Sequence, residues 1–167
     1  LLQNLDRDSL AVRARELGIE PQDGDSFDDI FFRIFISKIE LNLGVPVPTV
    51  LYDYPVSMAS LARKKPSDPR VAERVEIYIG GLELANGFGE LTDPEEQRER
   101  FIKEGEERRC LGKTVFPIDE ELLFELKHIG TAAGIALGVD RLAMVLTGAG
   151  SIEEVIAFGA GELFKIE

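Results

Sequence analysis

Gly80-Gly81-Leu82-Glu83-Leu84-Ala85-Asn86-Gly87-Phe88-Gly89-Glu90-Leu91 is the stretch on which the reading of this chain turns. Ahead of it, Val71, Val75, Ile77 and Ile79 fall on one parity and Arg74, Glu76 and Tyr78 on the other, the period of a strand. A Gly-Gly pair closing such a strand is a two-residue hairpin signal. With Gly80 and Gly81 as the loop, Ile79 faces Leu82, Tyr78 faces Glu83 and Glu76 faces Ala85. Glu76 and Glu83 then share a face as diagonal neighbours, with backbones about 7 to 8 Å apart. Two long carboxylates at that distance can converge on a hard cation, and Mg²⁺ takes oxygen ligands of this kind together with substrate phosphates. Strict alternation places Asn86 and Glu90 on the opposite face, and a bulge with positive φ at Gly87 would bring them back. A solvated strand face accounts for the same glutamate spacing.

Downstream, Gly134-Ile135-Ala136-Leu137-Gly138-Val139 reads as a strand with small residues where a ligand can approach, and Asp140-Arg141-Leu142-Ala143-Met144 opens a helix. Arg141 sits in its first turn. A guanidinium stays charged and grips phosphate in a planar fork, which suits a polyphosphate tail. A helix cap and a surface ion pair are the plainer account of Asp140-Arg141.

The 167 residues suffice for one domain, expected to span 1–167. Thirty-one acidic residues against 19 basic ones give a formal charge of -12, which repels a nucleic-acid backbone. Cys110 is the single cysteine and has no disulfide partner within the chain. No apolar run approaches the roughly 20 residues of a membrane span, and the expectation is a soluble, cytoplasmic protein without membrane contact. The opening Leu1-Leu2-Gln3 does not read as a signal peptide.

Asp8 to Leu17 reads as a helix ended by Gly18, and Ser26-x-x-Asp29 as a capping box for an apolar helix running to Gly44. Thr49 to Tyr54 is rich in β-branched and aromatic residues and reads as a strand, with Lys64 to Pro69 a polar loop. Thr92-Asp93-Pro94-Glu95-Glu96 starts a helix to about Arg109, on which the arginines are expected to be solvated. Asp119 caps another helix through Lys127, and Ser151-x-x-Glu154 a short last one. His128, Cys110, Tyr52 and Tyr54 read as packing residues. Antiparallel hairpins and helices without regular βαβ alternation give an α+β fold.

Glu-Leu-Ala-Asn-Gly-Phe-x-Glu-Leu-Thr-Asp-Pro, from Glu83 to Pro94, resembles the segment before motif 3 of lysyl-type class II aminoacyl-tRNA synthetases, and Arg74-x-Glu76 matches at the same spacing. Gly-x-x-x-Gly-x-Asp-Arg-Leu, from Gly134 to Leu142, resembles motif 3 itself, placed at about 134–146. The resemblance extends over essentially the whole chain. It implies the C-terminal portion of the class II antiparallel sheet with flanking helices. Motifs 1 and 2 have no counterpart here, so the isolated chain is expected not to activate an amino acid.

By the same resemblance, Glu76 and Glu83 hold Mg²⁺ and the ATP phosphates, Arg141 binds ATP and acts in catalysis, and Asn86 and Glu90 contact the amino acid. A buried Glu90 carboxylate would select a lysine ε-ammonium. Ala136 and Gly138 complete the substrate-binding set. Ala-Ser-Leu-Ala at 59–62, Pro117-Ile118-Asp119 and Ala136 resemble the elongation factor P lysine ligase paralogues more than the synthetases. Synthetases generally carry glycine at the position of Ala136, whereas the paralogues carry alanine and prefer (R)-β-lysine. The implied activity is adenylation of lysine or (R)-β-lysine and transfer to elongation factor P. Transfer to tRNA, as in a lysyl-tRNA synthetase, and a non-catalytic regulatory module are the alternatives. A homodimer of the full-length protein is also implied.

Overall fold

The computed structural model describes residues 6–163, without the side chains of Ala160 and Glu162; Leu1-Leu2-Gln3 lies outside the described residues. The fold is α+β, an antiparallel sheet with flanking helices. Its strands are β1 (Thr49–Pro55), β2 (Lys64–Lys65), β3 (Asp68–Ile79), β4 (Leu82–Gly89) and β5 (Ala133–Leu137), in the order β1-β3-β4-β5 with β2 paired to β3. The helices are α1 (Arg7–Glu16), α2 (Phe27–Ile34), α3 (Pro94–Cys110), α4 (Glu120–Leu126), α5 (Val139–Thr147) and α6 (Ala160–Leu163). The chain divides into two compact units, one of residues 1–51, 76–86 and 136–167, the other of residues 52–75 and 87–135.

In the first unit, α1 is capped by the Asp6 carboxylate, which accepts from Ser9 N. The Ser26 box closes in both directions at the start of α2. Ile30, Phe31, Ile34 and Phe35 are buried at helical spacing, and the Phe31 ring stacks between Phe27 and Phe35 at 6.4 and 5.8 Å. The helix expected to reach Gly44 changes pitch instead, through a π-helical turn at Phe35–Ile39 and a 3₁₀ turn at Glu40–Asn42. Gly44 then takes φ +75° and passes against the end of β3: its carbonyl accepts from Gly80 N at 2.9 Å and Leu43 O accepts from Gly81 N at 3.0 Å. Gly80 and Gly81 both have positive φ, 63° and 80°, the geometry that lets a two-residue loop follow the strand twist.

In the second unit, the stretch expected as a polar loop is partly sheet. Lys64 pairs with Ala72 and Lys65 with Asp68, and β3 starts at Asp68 rather than Val71. Pro69 is tolerated because it is the second residue of that strand, where a missing donor costs little. Arg70 bonds the Asp68 carboxylate and holds its pKa down at about 2. Asp93 caps α3 through Glu95 N and Glu96 N, with Pro94 at the first position. Arg100 is not solvated as expected: it donates to the carbonyls of Ser60 and Ala62 and pairs with Glu96. Cys110 and Tyr52 are exposed rather than packed, because each lies on the outer side of its element, while Tyr54 is buried beneath Arg74. His128 is exposed at the end of α4, beside Glu125 and the edge of Phe124.

Gly44 has no room for a side chain, since a Cβ there would lie 2.6 Å from Ile79 Cα. Gly44→Ala should lower unfolding free energy by at least about 2 kcal/mol, combining backbone overlap with a left-handed φ. Denaturant melts of both forms check this; an unchanged midpoint would contradict the placement.

Candidate active site

Five of the sequence-derived residues surround one cavity of about 280 Å³ in the first unit: Glu83 and Asn86 on β4, Ala136 on β5, Gly138 at the start of α5 and Arg141 in its first turn. That volume accommodates an amino acid more readily than a whole nucleotide, as drug-sized sites run from about 300 to 1,000 Å³. The Gly138 amide donates to Leu84 O at 2.8 Å and so ties the strand-to-helix turn to β4. Gly138 caps α5 with no side chain, and its Cβ position has only ordinary contacts with Arg141. The Arg141 guanidinium donates to Glu83 O at 2.7 Å and lies 4.0 Å from the Glu83 carboxylate, which leaves it half-exposed at the cavity wall. A charge anchored by one bond and otherwise open is suited to an anionic ligand.

Glu76 is deeper. It is 5% exposed on β3, with Oε2 accepting from Tyr78 Oη at 2.7 Å and Oε1 accepting from Asn86 Nδ2 at 3.0 Å. Asn86 therefore shares the face of Glu76, as a break in alternation requires, and consecutive buried residues Leu84 and Ala85 mark that break. The expected positive φ at Gly87 is not how it arises. Gly87 is missing its side chain for another reason: a Cβ would lie 2.9 Å from Gly134 O and 3.0 Å from the Ile135 side chain in the second unit.

Glu90 belongs to the second unit. Its amide donates to Ala132 O at 3.0 Å, it bridges Ala62, and its Oε1 occupies space 2.8 Å from where a Gly134 Cβ would be. Gly134 is thus the residue that admits the Glu90 carboxylate. The second unit also holds an open cavity of about 470 Å³ that includes Arg74, Phe88 and Gly134. Arg74 lies over the Tyr54 ring at 4.5 Å and near Phe88 at 5.8 Å, and donates to Met58 O at 2.9 Å.

Among the described residues, no three His, Cys, Asp or Glu side chains cluster as a complete metal site. Glu83 and Asp140 line the cavity and Glu76 is buried on the neighbouring strand, carboxylates of the kind that Mg²⁺ takes together with substrate phosphates and water. No described helix is long and apolar enough to cross a membrane. Two features escaped the sequence. One is Tyr78, whose period-2 placement beside Glu76 was the available signal; the other is the hydrogen bond from Asn86 Nδ2 to the Glu76 carboxylate, for which there was none.

Burial, then the bond to Glu76 and the nearby charges of Glu76, Glu83 and Glu40, raise the Tyr78 pKa above its ordinary 10.0. The folded state therefore favours the neutral phenol. Its contribution to stability is present below pH 10 and declines as pH climbs towards the folded-state value. In an alkaline titration followed by tyrosinate absorbance, one tyrosine should ionise only with unfolding, and that step should be missing from Tyr78→Phe. Identical curves for the two proteins would contradict the burial.

The family described as tRNA synthetases class II (D, K and N) matches residues 35–162. Among curated proteins, the chain is 42% identical over 153 residues to the elongation factor P--(R)-beta-lysine ligase of Avibacterium paragallinarum, covering 91% of this chain and 48% of that protein. It is 47% identical over 132 residues to the protein of the same name from Photorhabdus laumondii subsp. laumondii, and 45% over 132 residues to that from Vibrio vulnificus; each alignment covers 78% of this chain and 41% of the relative. The chain spans less than half the length of these relatives. With the two glycine-bounded blocks on one antiparallel sheet and a match over most of its length, the chain belongs to the class II tRNA synthetase family that serves D, K and N.

Proposed function

We propose that these residues form part of a class II catalytic domain that activates a lysine-type amino acid with ATP and passes the acyl group to elongation factor P. The observation that carries the reading is the grouping of Glu83, Asn86, Ala136, Gly138 and Arg141 on one cavity, with the buried Glu76 bonded to Asn86. The names of the relatives support the acceptor, and the acidic balance of the chain favours a protein over a tRNA.

In this reading the amino-acid carboxylate oxygen attacks the α-phosphorus of ATP. The bond from that phosphorus to the bridging oxygen breaks, and pyrophosphate leaves with the electron pair. The protein contributes position and charge rather than a nucleophile. Arg141 meets the polyphosphate, where negative charge builds as pyrophosphate departs. Asn86 orients the amino acid; for Glu90, the family resemblance implies recognition of a distal ammonium. Glu83, on the cavity wall, and the buried Glu76 would hold Mg²⁺. When bound, the metal neutralises phosphate charge. Cytoplasmic location and a homodimer of the full-length protein accompany this reading.

ATP–pyrophosphate exchange in the full-length protein, with lysine and (R)-β-lysine supplied separately, tests it. Glu83→Gln should lower exchange by about 100-fold or more at limiting Mg²⁺, since it removes a carboxylate that would hold the phosphate-neutralising Mg²⁺, while melting stays near wild type. Wild-type exchange by that variant would remove Glu83 from the site. The Ala136 methyl lies on the same cavity wall, and Ala136→Gly should relax the isomer preference toward α-lysine. One methyl is worth about 1 to 3 kcal/mol, so the discrimination ratio should move by about 10-fold or more. An unchanged ratio would leave Ala136 a plain strand residue.

A further inference from the structure

Glu76 and Tyr78 are both buried, at 5% and 1% exposure, and neither lines the cavity that Asn86 faces. They stand two residues apart on β3 and therefore point to the same side of the strand. A carboxylate accepts hydrogen bonds and donates none, so the Asn86 amide must turn its NH₂ end toward Glu76 Oε1. Shape alone does not distinguish the two ends of an amide; here the buried charge does. The opposite end, Oδ1, is left buried with no hydrogen-bond partner among the described residues. Native structures seldom leave such an acceptor unpaired. One Nδ2 hydrogen is committed to Glu76, and the other is left for a partner at the cavity that Asn86 lines. The carboxylate of an amino acid answers such a donor.

We infer that Tyr78 is a positioning residue for amino-acid recognition: its hydroxyl holds the Glu76 carboxylate, and Glu76 holds the Asn86 amide in one orientation at the cavity. The inference rests on reading that cavity as the amino-acid site. It assigns to Glu76 a role beside the proposed metal. Without the hydroxyl, the glutamate side chain has one fewer restraint and the amide can rotate. Arg141 is held by the Glu83 carbonyl and has no bond to Tyr78 among those described.

Tyr78→Phe in the intact protein tests this with two readouts. By NMR, the Asn86 side-chain amide of the wild type should give two distinct, slowly exchanging proton resonances, and the variant should exchange them about ten times faster. In pyrophosphate exchange, KM for the lysine-type amino acid should rise by about tenfold, clearly more than any rise in KM for ATP. Unchanged amide exchange overturns the clamp. An equal or larger rise in KM for ATP also overturns it, because the loss would then lie in the metal and nucleotide role of Glu76 and not in the Asn86 amide. If the wild type activates no lysine-type amino acid, the functional reading fails and the amide resonances alone decide the clamp. Should the variant not fold, the Tyr78 hydroxyl proton of the wild type supplies the answer: slow exchange supports the clamp, and rapid exchange with water overturns it.

Discussion

Two successive left-handed glycines, Gly80 and Gly81, hold β3 against β4, and the groups of the first-unit site hang from that hairpin. Glu76 is four residues before the turn, and Glu83 and Asn86 follow it within six. Other residues at these two positions would have to carry a side chain at φ 63° and 80°, a conformation that glycine alone adopts without strain. The turn is braced from behind, because the carbonyls of Leu43 and Gly44 accept from the two glycine amides. The change of pitch after α2 thus has a structural consequence: it delivers two carbonyls to the one place where hairpin amides would otherwise lack partners.

From this hairpin the site is assembled through backbone as much as side chain. The amide of Gly138 reaches Leu84 O and the guanidinium of Arg141 reaches Glu83 O, so the start of α5 is registered on β4 by two bonds to consecutive residues. The result sets a carboxylate and a guanidinium 4.0 Å apart on one wall. At such an exposed separation the pair adds little to stability. Its value lies in ligand chemistry, since each partner is free to exchange the other for a cation or a phosphate. Glu76 is the contrasting case: burial makes its charge costly, and the hydroxyl and amide donors offset that cost while fixing their own positions.

Small residues recur where elements meet closely. Gly87 admits the Gly134 carbonyl and the Ile135 side chain, and Gly134 in turn admits the Glu90 carboxylate. These glycines serve proximity rather than torsion, unlike Gly80 and Gly81, whereas Gly44 serves both. Sequence alone does not separate the two uses. At Gly87 it suggested a bulge, whereas the structure keeps an extended backbone and spends the missing side chain on packing.

The sequence by itself determined the elements whose signals are local. The Ser26 box, the Asp93-Pro94 start of α3, the period-2 run of β3, the Gly-Gly turn and the two blocks carried by Glu83–Pro94 and Gly134–Leu142 were all legible, because capping, alternation and turn torsions act within a few residues. Tertiary structure decided what depends on partners distant in the chain. The apolar run after Ser26 looked like one helix, yet packing against the end of β3 required a change of pitch before Gly44. Lys64 and Lys65 looked like loop, but β3 supplied a strand to pair with. Arg100 looked solvated until the Ser60 and Ala62 carbonyls came within its reach. The same holds for the site: the residue types at 76, 83, 86 and 141 could be read in order, but only folding buried Glu76, joined it to both Tyr78 and Asn86, and left Arg141 open, because burial and hydrogen-bond geometry are properties of the assembled strands and not of any segment alone.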